Sequence, residues 1–591
     1  MRFSHTGNPR VARFFSMTGH IHALMLLGVF ACGLVRAEAP LQPEAASGVV
    51  AVKEARGRMF MAVTANPLAT DAAVEILRAG GTAADAAIAA QLVLNLVEPQ
   101  SSGLGGGGFL LYHDARTNKL HAYDGRETAP AAARPERFLG PDDKPLSFHE
   151  AAVGGRSVGV PGLPALLDLA YRNHGRTLWP KLFAPALRLA VEGFPMSPRL
   201  HRLLAEDRYL RDDSAARRLY YEADGKPKPV GTKIVNREYG FVLLALAQHG
   251  TRVFYEGPIA RDIVAALRAH TKNPGDLSEA DFAAYKAVER EPVCGERLGH
   301  RVCGMPPPSS GGIAVLQMLT FTEELAGRKP LAPESVHRFA EAGRLTFADR
   351  ARHIADPAFF DVPVKALLDP AYLASRAQLI RAESSMGRAV AGEMPMRQSL
   401  GEDMSAELPA TTHISIADAE GNALVLTSSI EAAFGSRIMV HGFLLNNQLT
   451  DFSFRPEEGG RPVANRVEPG KRPLSSMAPT LIYGKNGRVA ALLGSPGGSQ
   501  IINYVAKAVL GLLAWNLSPA GTAALPHYGS RNGPAELERG TSAESLRPAL
   551  EKLGHVVSIQ DMTSGLSLIQ RRGDEWIGAA DPRREGTARG E

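Results

Sequence analysis

Residues 411–430 hold the pattern that most limits how this chain can fold. The runs HISIA and NALVLTSSI alternate around Asp418-Ala-Glu-Gly-Asn422. A period of two on either side of an Asp/Gly/Asn turn predicts a β-hairpin. The stretch before it, residues 381–410, is polar and weakly patterned and predicts an exposed segment. The hairpin opens on Thr411-Thr412. Threonine suits a strand start for reasons of shape alone. The same residue acquires chemistry if the Ala410–Thr411 bond is cut. The new α-amino group then lies within reach of the Thr411 hydroxyl, directly or through one water. A threonine hydroxyl needs such a base to attack, and an α-amine of pKa about 7.7–8.0 suits that task near neutrality.

AAVEILRAGGTAADAAIAAQLVLNLV reads as helix, broken at Gly80-Gly81. FLLYHD and KLHAYDGRE predict two strands around a polar turn. Residues 150–380 carry mostly amphipathic helical runs, interrupted by Met305-Pro-Pro-Pro-Ser-Ser-Gly-Gly312. After residue 430, GFLLNN, PTLIYG and RVAALLGS predict strands, SQIINYVAKAVLGLLAWN a buried helix, and GLSLIQRRGDEWIGAADP a closing hairpin. Strands combined with buried helices imply a layered α+β sandwich.

The chemistry of the ends and of the bulk narrows the function classes. Arg2, Arg10 and Arg13 precede the apolar run of residues 23–35, and Val35-Arg-Ala37 has cleavage-site spacing. This predicts a secretory signal peptide over residues 1–37 and a secreted or periplasmic protein. The run is short for a membrane span. A lipid anchor on Cys32 is the competing reading, with Phe30 a poor fit two residues before it. The 66 basic and 61 acidic residues nearly balance, and no basic block with interleaved aromatics points to nucleic acid. Cys294 and Cys303 flank GERLGHRV, a hairpin candidate; in an oxidising compartment they either bridge it or stay as two thiols. No HExxH or CxxC pattern suggests a metal, and no cofactor is expected.

Gly105–Gly108 lacks the Lys-Ser/Thr of a phosphate loop and the spacing of a dinucleotide fingerprint, so it predicts close backbone packing near a site. Gly155-Arg-Ser157-Val-Gly159 matches a nucleophile elbow, but without the strand before it and helix after it that the elbow needs.

In order along the chain stand SSGLGGGGF, GRETAP, MPPPSSGG, ATTHISIADAEGNAL, FLLNNQLTDFS, KRPLSSMAPT, GSPGGSQ and GAADPR. In that order and spacing the sequence resembles the γ-glutamyltranspeptidase (glutathione hydrolase) family over nearly its whole mature length. The resemblance implies an N-terminal-nucleophile hydrolase, an αββα sandwich built jointly by two associated chains of a self-cleaving precursor. The large chain would be residues 38–410 and the small chain residues 411–591. Thr411 would cut its own precursor, then carry the γ-glutamyl group of a small-molecule donor to water or to an amino acid. By motif match, Arg126, Ser475 and Ser476 would hold the α-carboxylate, and Gln448 and Asp451 the α-ammonium. Gly497 and Gly498 would supply oxyanion N–H donors. Ser429 stands where the family usually has a threonine that orients the nucleophile. His413 shares a strand face with Thr411 and is assigned no catalytic role. A structural salt bridge with Glu127 is the plain alternative for Arg126.

Two departures bear on the substrate. Glu431 replaces an asparagine that contacts the amino group in many family members. The segment 454–470 is short and lacks the tyrosine of a lid loop, as in lidless members. The alternative within the same fold is a glutaryl- or cephalosporin-type acylase. An inactive binding homologue would have lost the nucleophile or the oxyanion glycines, and neither is lost.

Overall fold

The computed structural model describes residues 52–395, 400–403, 405, 408 and 410–591. The expected signal peptide and Cys32 lie outside the described residues.

Two seven-stranded antiparallel sheets face each other. The first runs Thr587–Gly590, Met61–Thr64, Thr411–Ala417, Ala423–Ser429, Gly107–Asp114, Lys119–Gly125, Val288–Arg290. The second runs Ala55–Gly57, Glu575–Ala580, Ser567–Arg572, Val489–Gly494, Thr480–Tyr483, His300–Gly304, Val293–Arg297. Helices Pro67–Arg78 and Ala83–Val97 cover the first sheet. Gly311–Phe321, Pro333–His353 and Ile501–Leu513 cover the second. The order of layers is αββα, and strands from before and after residue 410 interleave in both sheets.

The central hairpin explains the layering. Every residue of Thr411–Ala417 and Ala423–Ser429 is buried. Ile414, Ile416, Leu424 and Leu426 pack into the helix-side core, while Ala417 and Val425 join the core between the sheets. Alternate side chains point to opposite faces, so Thr411, His413 and Ser415 share the inter-sheet face with Ala417. Helix Ala83–Val97 is buried all round, as an apolar helix between layers must be. A reciprocal cap starts it: Thr82 Oγ1 accepts from the Asp85 amide, and Asp85 Oδ2 from the Thr82 amide.

Cys294 and Cys303 face each other in the hairpin Val293–Arg297/His300–Gly304 and are joined as a disulfide. Two expectations need correction. GFLLNN forms only a two-residue strand, Phe443–Leu444, because its asparagines turn away to bond with other loops. Residues 381–410 are not uniformly exposed. Among the described residues Ala389, Ala391, Leu400 and Ala410 are buried: the Gly392 amide bonds to Asp349 of helix Pro333–His353, Leu400 packs with Ala355 and Ala464, and the Ala410 carbonyl accepts from Ser429 of the central sheet.

Candidate active site

The turn at 418–422 sets the register that builds the site. The Asp418 amide bonds to the Asn422 carbonyl, Asn422 Nδ2 to Asp418 Oδ2, and Gly421 takes the positive φ of +87°. Seven pairs on, Thr411 stands opposite Ser429, and Ser429 opposite Gly107. Thr411 Oγ1 donates to Ser429 Oγ at 3.3 Å. Ser429 Oγ donates to the carbonyl of Ala410 at 2.7 Å and accepts the Glu431 amide at 2.8 Å. The chain runs on from Ala410 into Thr411. Arg584 Nη1 holds the Thr411 carbonyl at 2.9 Å.

Nine of the ten residues nominated from sequence line one small cavity of about 20 Å³: Arg126, Thr411, Ser429, Glu431, Gln448, Asp451, Ser475, Ser476 and Gly498. The tenth, Gly497, precedes Gly498 in the chain. Its φ is +141°, and a Cβ there would meet the Tyr504 ring at 2.5 Å. Leu408, Met477 and Ile501 complete the lining.

Arg126 is buried at the end of strand Lys119–Gly125. Its Nη2 reaches Asp451 Oδ2 at 2.5 Å and the Leu474 carbonyl at 2.7 Å, and Nε reaches the Pro473 carbonyl at 3.2 Å. Glu127 is farther, at 3.8 Å from Nη1. The main partner of Arg126 is therefore Asp451 rather than Glu127. Gln448 and Asp451 share a short 3-10 turn, with Gln448 Nε2 donating to Asp451 Oδ2 at 2.7 Å. Among the described residues, Gln448 Oε1, Asp451 Oδ1 and Ser476 Oγ have no hydrogen-bond partner. Ser475 and Ser476 are held by the PPPSS loop. The Ser310 amide donates to the Ser475 carbonyl at 2.8 Å, and the Ser475 amide to that of Pro308 at 3.1 Å.

Glu431 follows the second hairpin strand at φ +79°, which a non-glycine residue rarely adopts. Its Oε1 accepts the Leu408 amide at 3.0 Å, and Oε2 accepts Asn447 Nδ2. Burial holds the Glu431 carboxyl well above the usual range, and the Asp451 charge adds to that. Burial raises Asp451 too, against the pull of Arg126. Burial also pushes Glu127 up to about 8, opposed by Arg126; neither of its oxygens has a hydrogen-bond partner among the described residues.

The tetraglycine makes close backbone approaches. A Cβ at Gly105 would meet the Leu444 carbonyl oxygen at 2.1 Å, and one at Gly106 that of Ser429 at 2.1 Å. Asn446 Nδ2 ties Gly105 to Gly159 through their carbonyls at 2.7 and 2.9 Å. Ser157 is buried in a 3-10 turn with its hydroxyl on the Ala152 carbonyl at 2.6 Å, which is no nucleophile elbow. His413 is clamped between Thr427 Oγ1 at 2.7 Å and Ser415 Oγ at 3.2 Å. Burial takes it down to about 3, so it stays neutral. Arg584, Asn447 and Leu408 were missed from sequence. Arg584 adjoins a quoted motif and Asn447 lies inside one, but nothing local marked what they touch.

One cluster of metal-type ligands occurs among the described residues, His337, Glu341 and His555. Its atoms are already satisfied. Arg344 donates to His555 Nδ1 at 3.1 Å, leaving Nε2–H for His337 Nδ1 at 2.7 Å, and His337 Nε2 then serves the Arg381 carbonyl at 2.7 Å. Two nitrogens on a tetrahedral zinc would stand about 3.3 Å apart. Glu341 is taken up by Arg344, Ser385 and the Met386 amide. The cluster fits a structural network.

A family model described as gamma-glutamyltranspeptidase matches residues 69–591. The chain is 34% identical over 551 residues to a glutathione hydrolase proenzyme of Bacillus subtilis strain 168, covering 90% of this chain and 92% of that one. It is 33% identical over 560 residues to the acylase ACY 1 proenzyme of Pseudomonas sp. strain SE83, covering 92% and 96%. The crystal structure of a cephalosporin acylase from Bacillus halodurans matches with a TM-score of 0.78 at 24% identity, over 94% of this chain and 98% of that one. That last likeness concerns the fold alone.

Proposed function

The chain belongs to the gamma-glutamyltranspeptidase family, and from that premise we propose a self-processing γ-glutamyltransferase and glutathione hydrolase with Thr411 as nucleophile. Residues 1–37 would direct export to the periplasm or outside the cell. The cut would yield chains of residues 38–410 and 411–591, which stay associated because their strands share both sheets.

In the maturation step, Thr411 Oγ1 attacks the Ala410 carbonyl carbon. Its proton has a path through Ser429 Oγ, which already donates to the carbonyl oxygen where charge develops. The C–N bond then breaks, the nitrogen takes the proton, and water hydrolyses the resulting ester. The freed Thr411 amine serves as base for the second reaction. Thr411 Oγ1 attacks the γ-carbonyl of the donor, Gly497 and Gly498 amides receive the oxyanion, and the leaving amine departs protonated. Water or an amino acid takes the γ-glutamyl group from the ester.

The observation that carries the γ-glutamyl reading is a count of acceptors. When the cut lets Leu408 leave, Glu431 Oε1 loses its donor. It then joins Gln448 Oε1 and Asp451 Oδ1, which have none among the described residues. Three acceptors from residues that line one pocket match the three hydrogens of an α-ammonium. A glutaryl group would leave them unmet, at about 1–3 kcal/mol for each buried orphan. Ser476 Oγ and Arg126 face the α-carboxylate end.

The second reading is a glutaryl- or cephalosporin-type acylase, favoured by Glu431 where a neutral amide is common in the family. Hydrolysis of a γ-glutamyl anilide against the matching glutaryl anilide separates the two. Faster turnover of the γ-glutamyl compound is expected; a clear win for the glutaryl compound would replace the first reading by the second.

A further inference from the structure

We propose that Glu431 and Asp451 jointly keep one proton in the empty mature pocket and release it when an α-ammonium enters, so that pH sets the preference between γ-glutamyl and glutaryl ligands. This rests on the donor-pocket reading above and adds a regulation to it.

Both carboxyls line the same pocket, and both side chains are buried. The positive φ of Glu431 is a backbone cost that turns its side chain there. Arg126 faces the pair directly, through Asp451 Oδ2. Arg350, on helix Pro333–His353, stands behind Ser310 with Nε on that hydroxyl at 2.9 Å and acts on Asp451 through charge. Arg437 is engaged by Asp207 at 3.1 Å. Glu127 lies behind Arg126, Asp403 lies beside Arg350 in the segment before the cut, and the Thr411 amine appears after it. Asn447 and Gln448 supply neutral amides.

With both carboxyls ionised, the cavity holds two negative charges against the Arg126 cation. Removing charge from water without a partner is expensive, and a buried acid keeps its proton instead. The directions agree: burial raises both groups, and Asp451 raises Glu431 further. A γ-glutamyl ligand brings its own cation, so the shared proton becomes surplus. A glutaryl ligand brings only a carboxylate, so it needs the proton to stay. In the precursor, the Leu408 N–H meets Glu431 where the ammonium would stand.

The test uses mature enzyme and two unreactive ligands, L-glutamate and glutarate, which differ by the amino group. Calorimetric titration at pH 7 in two buffers of different ionisation heat counts the protons exchanged. About one proton released per L-glutamate bound, and none or an uptake with glutarate, is expected. The ratio of their inhibition constants should then shift about tenfold per pH unit, with L-glutamate gaining as pH rises. Protons exchanged by the Thr411 amine contribute with either ligand and cancel in the comparison. Glu431→Gln should abolish the difference; if that variant fails to mature, the two-ligand comparison on the native enzyme decides alone. Tight L-glutamate binding with no proton release would overturn the linkage and leave the donor reading standing. Binding of glutarate without any binding of L-glutamate would overturn both.

Discussion

Replacing Ser476 by alanine separates binding from folding more cleanly than any other change in the pocket. The side chain is 1% exposed, and its Oγ has no hydrogen-bond partner among the described residues. Truncation therefore breaks no internal bond and removes a hydroxyl that is costly to keep dry. The folded protein should melt within a degree or two of the parent. The ligand complex should respond differently. A hydrogen bond to a carboxylate is worth about 1.5–3 kcal/mol, which converts to about 10- to 150-fold in affinity. The carboxylate lies away from the reacting carbonyl and keeps its charge throughout, so the contact is equally strong in ground and transition states. KM should rise by that factor with kcat nearly unchanged. The assay is initial-rate hydrolysis of γ-glutamyl and glutaryl anilides, followed by absorbance, beside a thermal melt. Both substrates carry the carboxylate, so both should lose alike. A KM within threefold of the parent would refute the assignment of Ser476. A large drop in melting temperature would refute the idea that its hydroxyl is idle in the empty pocket.

Other outcomes follow from the same geometry. Thr411→Ala should run as one uncut band on a denaturing gel and show no turnover; two chains in that variant would exclude the maturation scheme. Arg126→Ala should weaken substrates bearing an α-carboxylate and also lower stability by about 3–5 kcal/mol, because Asp451 is left buried without its cation; an unchanged KM rejects its binding role. Glu127 predicts a pH slope. Its carboxyl is raised from 4.5 to about 8, so the folded chain holds a proton that the unfolded chain releases between those values. Stability should therefore fall as pH rises through that window, by at most about 1.4 kcal/mol per unit. Glu127→Gln, in the uncut Thr411→Ala background so that one chain unfolds, should flatten the slope in denaturant titrations from pH 5 to 8. Equal slopes would show Glu127 ionised in the fold.

The hairpin from Thr411 to Ser429 was legible from local pattern alone, whereas the link of Ser429 to Thr411 came from the family resemblance, and the structure sets the two hydroxyls opposite each other. Register follows from a turn of a few residues and a period of two, both written within twenty positions. The pocket residues were named through the family resemblance that the ordered motifs carry. Local pattern could not place Arg126 on Asp451, 325 positions apart, nor the PPPSS loop under Ser475. It could not tell that Arg584 would hold the Thr411 carbonyl, or that Leu408 would donate to Glu431. The polar composition of residues 381–410 suggested exposure, yet alanines and a leucine within it are buried. Side-chain type and spacing decide which chemistry is available. Packing of distant segments decides which groups lose water together, and that loss sets the charge of Glu431, Asp451 and Glu127.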